Sequence, residues 1–172
     1  LVSGLISDSQ SLIENARAEA HYHRFIYKEG ITVKAITQSV ADLALNFGEG
    51  DITSKKKPIA RPYGVSLLFA GVDVTGPTMY LSDPSGTMVG YTAKGLGSAE
   101  EGIESLLEKH FKPEMGIAEA QQLALRIMKQ VMEEKIRSDN IDLFVLTKDS
   151  NGFVRIDAKH IEEAIKALPE LI

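Results

Sequence analysis

The sequence predicts an α+β fold in which amphipathic helices cover antiparallel sheets, and three observations lead there. Residues 61–98 hold three strand-like runs separated by turn residues. The segments on either side carry apolar residues at helical spacing. Two more short apolar runs flank Ser150-Asn151-Gly152, where Asn-Gly is a strong hairpin signal. The resulting order is helix, helix, three strands, two helices, two strands, helix. Helices with one apolar face need a sheet to cover, and strands with apolar residues on both parities need covering twice. Together these predict layers of helix on either side of stacked sheets.

Each element has its own local warrant. Residues 1–5 read as a short apolar stub. Ser7 or Ser9 is the expected cap of a first helix running to about Tyr27, with Leu12, Ile13, Ala16, Ala20 and Phe25 as its stripe and Gly30 as its stop. Thr32 is the expected cap of a second helix, in which Val33, Ile36, Val40, Leu43, Ala44 and Phe47 keep helical spacing until Gly48. Residues 49–62, with Gly, Ser, Lys and two prolines, read as an exposed loop. The run 63–72 follows as a strand with apolar side chains on both parities, then a reversal over 73–77 and a strand over 78–81. Asp83-Pro84-Ser85-Gly86 has the residue order of a type I turn, because proline presets φ at the second position. A third strand is expected over 87–94, and Ser98 with Glu101 reads as a capping box. Ile103, Leu106, Leu107 and Phe111 mark a third helix closed by Pro113. A fourth, over 117–135, carries Ile117, Ala120, Leu123, Ala124, Ile127, Met128 and Val131. Strands are expected over 141–147 and 153–157, and Asp157 is the expected cap of a last helix with Ile161, Ala164, Ile165 and Leu168 inward.

Composition narrows the function classes. At 172 residues and 44% hydrophobic content, the chain reads as one domain, burying on the order of 70% of its unfolded surface. No apolar run approaches the roughly 20 residues that cross a bilayer, so no membrane partner is expected. The absence of cysteine excludes disulfide scaffolds and thiolate zinc sites. A net charge of −5 argues against sequence-independent nucleic-acid binding.

The residue types that carry chemistry do not converge. His21 and His23 lie two apart, on different faces of a helix, whereas a helical metal pair prefers a separation of three or four. They read as surface or packing residues. Lys55-Lys56-Lys57 sits in a polar loop and reads as solvated charge. Gly95 and Gly97 before a helix lack the third glycine of a dinucleotide site and the Gly-Lys-Ser/Thr of a phosphate loop. Glu100, Glu101, Glu104 and Glu108, with Lys109 and Lys112 later, complement the helix dipole and require no active site. No metal and no cofactor is expected.

Several motifs carry a family resemblance. Arg61-Pro62-Tyr63-Gly64-Val65-Ser66-Leu67-Leu68, Gly71-Val72-Asp73, Gly76-Pro77, Asp83-Pro84-Ser85-Gly86 and Gly95-Leu96-Gly97-Ser98 resemble the central signature of proteasome α-type subunits. Ser3-Gly4-Leu5 followed by Asp8 resembles the family's approach to its first long helix. The matches run in order from the first residues almost to the last helix. Leu45-Asn46-Phe47-Gly48-Glu49 and Val131-Met132-Glu133-Glu134-Lys135 look most like the alpha type-5 branch.

That resemblance implies a four-layer αββα sandwich of the N-terminal-nucleophile hydrolase type. It also implies that the N-terminal tail, the ring-lining first helix and the first strands precede Leu1. With those parts absent, the expectation is exposed sheet edges and self-association or marginal stability. The implied function is a non-catalytic structural subunit of the outer α ring of the 20S core particle, in cytoplasm and nucleus. Its implied partners are other α-type subunits in a seven-membered ring, β-type subunits and regulatory particles. Active β-type relatives use an N-terminal threonine whose own amine takes the hydroxyl proton. The sequence here opens on Leu1. Ser98 falls where those relatives place a serine, but reads as a helix cap, and their Asp and Ser after the fourth helix align with Glu134 and Arg137. No catalytic residue is therefore expected. The first long helix is implied to meet the β ring, which calls for apolar or aromatic residues outside its core stripe: Tyr22, Phe25 and Ile26. The alternatives are a catalytically active threonine hydrolase of β type, marked by a processed threonine at the start of its first strand, and a free-standing small-ligand domain, marked by a pocket of convergent polar groups.

Overall fold

A computed structural model describes residues 1–45, 61–150 and 152–168, whose contacts group the chain into two units, Leu1–Tyr91 and Thr92–Ile172.

Among its described residues, the first unit is a four-stranded antiparallel sheet with two helices on one face. The strands β1 (Val2–Gly4), β2 (Val65–Asp73), β3 (Gly76–Ser82) and β4 (Met88–Gly90) lie side by side in chain order. Residues 1–5, expected to be a stub, supply β1: Val2 pairs with Leu67 and Gly4 with Val65. Three residues are too few for a strand pattern to show in sequence; the long partner β2 selects the extended state. Beyond β2, Asp73 pairs with Gly76 across a tight turn in which the Thr75 N–H and hydroxyl both donate to Asp73 Oδ1. Gly86 donates its N–H to the Asp83 carbonyl at 3.0 Å, the bond the Asp-Pro-Ser-Gly order predicts. The expected third strand shrinks to three residues.

Helices α1 (Ile6–Tyr27) and α2 (Val33–Ala44) cover the sheet face that carries Val65, Leu67 and Phe69. Leu12, Val40, Val65 and Leu67 form the core, flanked by Val2, Ala16, Leu43 and Tyr63. Fully burying side chains of this size contributes about 1.5–3 kcal/mol each. Gly71 sits beneath α2, where a Cβ would lie 2.5 Å from Val33 Cγ2, so any larger residue would have to push that methyl aside. The Thr32 hydroxyl accepts the Ala35 N–H as expected, and Asp73 Oδ2 takes the neighbouring Val33 N–H at 2.8 Å. The opposite sheet face, with Leu68, Val72, Met79 and Leu81, bears no helix of this unit among the described residues. Cover on both sides of β2 is thus half realised within the unit.

The second unit contains α3 (Glu100–His110), α4 (Ile117–Val131), the hairpin β5 (Phe144–Val145) with β6 (Val154–Arg155), and α5 (Ala158–Lys166). Its core is Leu125, Ile136 and Leu168, packed with Met128, Met132, Ile141, Ala164 and Ile165. Asp157 caps α5 by accepting the His160 N–H at 2.8 Å, as expected. The α4 stripe is corrected. Leu125, absent from the expected set, is among the most buried side chains, whereas Ile117, Ala120 and Ala124 are exposed, because α4 buries two sides rather than one.

Several expected boundaries also move. Ser9 is no cap: it lies inside α1 and donates to the Ile6 carbonyl at 2.6 Å, while Leu5 holds the cap position with no side-chain bond. Lys28, not Gly30, takes the left-handed conformation that ends α1, with φ 59°. The Ser98 capping box does not form, since the helix starts one residue later with Ala99 at the cap position. The first turn of α3 is held instead by the buried Lys94 ammonium, which bonds to Glu100 and Glu104. Desolvation pulls its pKa down, but the two carboxylates outweigh this and raise it. The expected end of α2 at Phe47 and Gly48, the lysines 55–57 and the Asn151 of the hairpin turn lie outside the described residues.

Candidate functional site

The two motifs flanking the second helix, 53 residues or more apart in sequence, meet at the start of α1. Asp8 accepts both arms of the Arg61 guanidinium, Nη1 at 2.7 Å and Nη2 at 2.9 Å, a bidentate pair. Its Oδ2 also accepts the Gly64 N–H at 2.9 Å. The Gly64 carbonyl in turn accepts the Leu5 N–H at 2.8 Å. The bond from Arg61, then that from Gly64, holds the Asp8 carboxyl at about 2, well below the usual carboxylate range, and Asp8 in turn raises Arg61. Gly4 makes this crossing feasible. Its φ is 114°, and a Cβ there would stand 2.4 Å from the Gly64 carbonyl oxygen. These contacts fix the direction in which α1 leaves the sheet.

The other end of the helix has the opposite character. Tyr22, Phe25, Ile26 and Tyr27 are 62%, 71%, 47% and 63% exposed. Phe25, read from sequence as part of the inward stripe as well as a contact residue, faces solvent and lies under the Lys28 ammonium, 4.8 Å from its ring centroid. The His23 ring tilts against Tyr27 at 4.6 Å, which makes it a packing residue, while His21 is exposed. The structure therefore brings Tyr22, Phe25 and Ile26 onto one exposed end. Tyr27, missed in sequence, belongs with them and was legible as the next aromatic along the helix. Four large side chains are thus exposed together at the end of a helix whose start is tied to its sheet.

The positions aligned with residues of the active relatives have local roles. Ser98 is exposed and makes no capping bond. Glu134 is exposed, and Arg137 Nε donates to Asp139 at 2.9 Å. Among the described residues, the hydroxyls of Thr75 and Ser85 reach carboxylates, Asp73 and Asp83, in turns where the same carboxylates accept backbone N–H groups. Among the described residues no group of His, Asp and Glu is arranged to hold a metal ion, and no helix is long and apolar enough to cross a membrane.

Comparison with known proteins agrees with the motif geometry. The proteasome subunit family profile matches residues 1–146. The chain belongs to the proteasome subunit family. Within it, the chain is 41% identical to proteasome subunit alpha type-5 of Dictyostelium discoideum, over 97% of this chain and 69% of that protein. It is 42% identical to the probable proteasome subunit alpha type-5 of Schizosaccharomyces pombe, over 95% of this chain and 66% of that protein. Against the alpha type-5 subunit of Caenorhabditis elegans the identity is 41%, over 96% and 68%. The chain thus spans about two thirds of the length of these relatives. All three carry α-type names, so the β-type alternative is not favoured. In this proteasome family member, the Ser-Gly-Leu and Arg-Pro-Tyr-Gly motifs are one structural unit: the anchor of α1.

Proposed function

We propose that this chain is a non-catalytic α-type subunit, of the type-5 kind, in the outer ring of the 20S proteasome core. It takes its place among other α-type subunits in a seven-membered ring, stacks on β-type subunits and offers its outer surface to regulatory particles. Its contribution to ubiquitin-dependent degradation is mechanical, helping to form the gated passage for unfolded substrate, in cytoplasm and nucleus. The four-layer αββα sandwich belongs to this proposal. The second apolar face of the first unit's sheet, with Leu68, Val72, Met79 and Leu81, all partly buried, is suited to a second sheet, since stacked sheets interdigitate such faces.

The observation that carries the reading is the exposed end of α1. A helix of 22 residues reaches about 33 Å, anchored at Asp8 and apolar at Tyr22, Phe25 and Ile26. Rigid aromatic groups presented this way dock with little loss of conformational freedom. Joint replacement of Tyr22, Phe25 and Ile26 by alanine is expected to weaken stacking on the β ring while preserving the fold. Native electrophoresis of complexes carrying the variant tests it, and unaltered assembly overturns the assignment. Non-catalytic status rests on the α-type names of the similar proteins.

A further inference from the structure

We propose that the second half of α1 recognises a row of carboxylates on the neighbouring subunit, through a basic stripe of Arg17, Arg24 and Lys28 that runs beside its exposed apolar side chains. The inference rests on the reading of this end of α1 as a contact surface and names the chemistry of what meets it.

The stripe follows from helical spacing. At about 100° per residue, Arg17, His21 and Arg24, four and three residues apart, fall on one side of the helix. All three are exposed, and Lys28 at the C-cap continues the row, with its ammonium 4.8 Å from the Phe25 ring centroid. The same spacing sets Tyr22 and Phe25 alongside. From residue 17 to residue 28 the one carboxylate in the sequence is Glu19, which lies two residues from both Arg17 and His21 and so on the far side of the helix. A chain of net charge −5 thus lines up three fixed cations at the edge of its aromatic end.

These arginines also differ from the others. The remaining exposed arginines, Arg61, Arg137 and Arg155, pair with Asp8, Asp139 and Asp142. Arg17 and Arg24 have no carboxylate partner among the described residues. The helix dipole accounts for cations in the last turn, hence for Arg24 and Lys28. It does not account for Arg17, about 15 Å before the end of the helix, because that effect fades within a turn.

A carboxylate matches the guanidinium fork with two parallel bonds, as Asp8 does for Arg61 in this chain. Seven residues separate Arg17 from Arg24, about 10 Å along the axis, which is the separation of two carboxylates two turns apart on a facing helix. Arginine beside tyrosine is also the composition of the energetic centre of protein interfaces. An anionic bilayer fits less well, since it would repel a chain whose net charge is −5.

Carbodiimide coupling, which joins amines directly to carboxylates in contact with them, tests the proposal when applied to the native assembly carrying the full-length chain and read by mass spectrometry. Lys28 is expected to couple to an Asp or Glu of another subunit, and Arg17→Lys and Arg24→Lys to couple to further carboxylates of that same subunit. Retention of the chain in the assembly, followed by native electrophoresis, is expected to fall about tenfold in Arg17→Glu/Arg24→Glu at low salt, with the gap closing near 1 M salt, where charges are screened. Coupling confined to the chain itself, no coupling at all three positions, or capture of the full-length chain by phosphatidylserine vesicles through the stripe each overturns the inference. Loss of retention in Tyr22→Ala/Phe25→Ala/Ile26→Ala with none in the arginine variant would leave the contact surface standing and sink the carboxylate row alone. No loss in either variant sinks both.

Discussion

At its N-terminal end α1 is tied to the sheet by Asp8, Arg61 and Gly64, and Leu12 is 2% exposed. From Arg24 to Tyr27 the same helix exposes every side chain, although two are aromatic and one is isoleucine. Composition alone would bury the second end as readily as the first. What separates them is the core: Leu12 packs with Val65 and Leu67 of β2, whereas Tyr22, Phe25, Ile26 and Tyr27 belong to neither core cluster among the described residues. Within one helix, then, some apolar residues join the core and others stay exposed.

The comparison can be broken most severely at its buried end. Leu12→Ala removes a core side chain between α1 and β2, and the expected loss is about 2–5 kcal/mol in chemical denaturation. A loss below 1 kcal/mol would mean that α1 is less firmly seated than its burial indicates.

A cap tests the anchored framework more gently. Thr32→Ala deletes the acceptor for the Ala35 N–H and is expected to cost about 1 kcal/mol. An unchanged midpoint would show that Asp73, on the adjacent Val33 N–H, suffices for α2.

Acid provides the next handle on the anchor. Because Asp8 is held at about 2 in the folded chain, below its unfolded value, its stabilisation is present above about pH 4 and is lost as pH falls through about 2. Asp8→Asn should flatten the pH dependence of the unfolding free energy across that window. Identical acid limbs in the two proteins would contradict the anchor.

The smallest effect is expected at the exposed end. Single alanine replacements of Tyr22, Phe25 or Ile26 should change stability by no more than about 0.5 kcal/mol. A larger loss at Phe25 would move it from contact surface to core and erase the contrast.

How much of this was legible in the sequence follows the distance over which each feature acts. Thr32 and Asp157 cap helices as read, because a cap is decided within four residues. The turn at Asp83 was equally local. Features that act at longer range escaped. Ser98 had the residue order of a capping box, but Lys94 already engages Glu100 and Glu104, and the helix starts one residue later. Leu125 fell outside the stripe because its burial depends on Ile136 and Leu168 packing on a second side of α4.

The candidate surface shows the same division. Tyr22, Phe25 and Ile26 were named from helix position and residue type, whereas their exposure had to be seen. By itself, then, the sequence determined the order of elements, the caps and turns, and the motifs of the family, all set by short-range sterics and hydrogen bonding. Tertiary structure decided which apolar residues are core and which are surface, and it joined Asp8 to Arg61. Burial and long-range pairing depend on which elements meet in space, and that is a property of the whole packed chain rather than of any local segment.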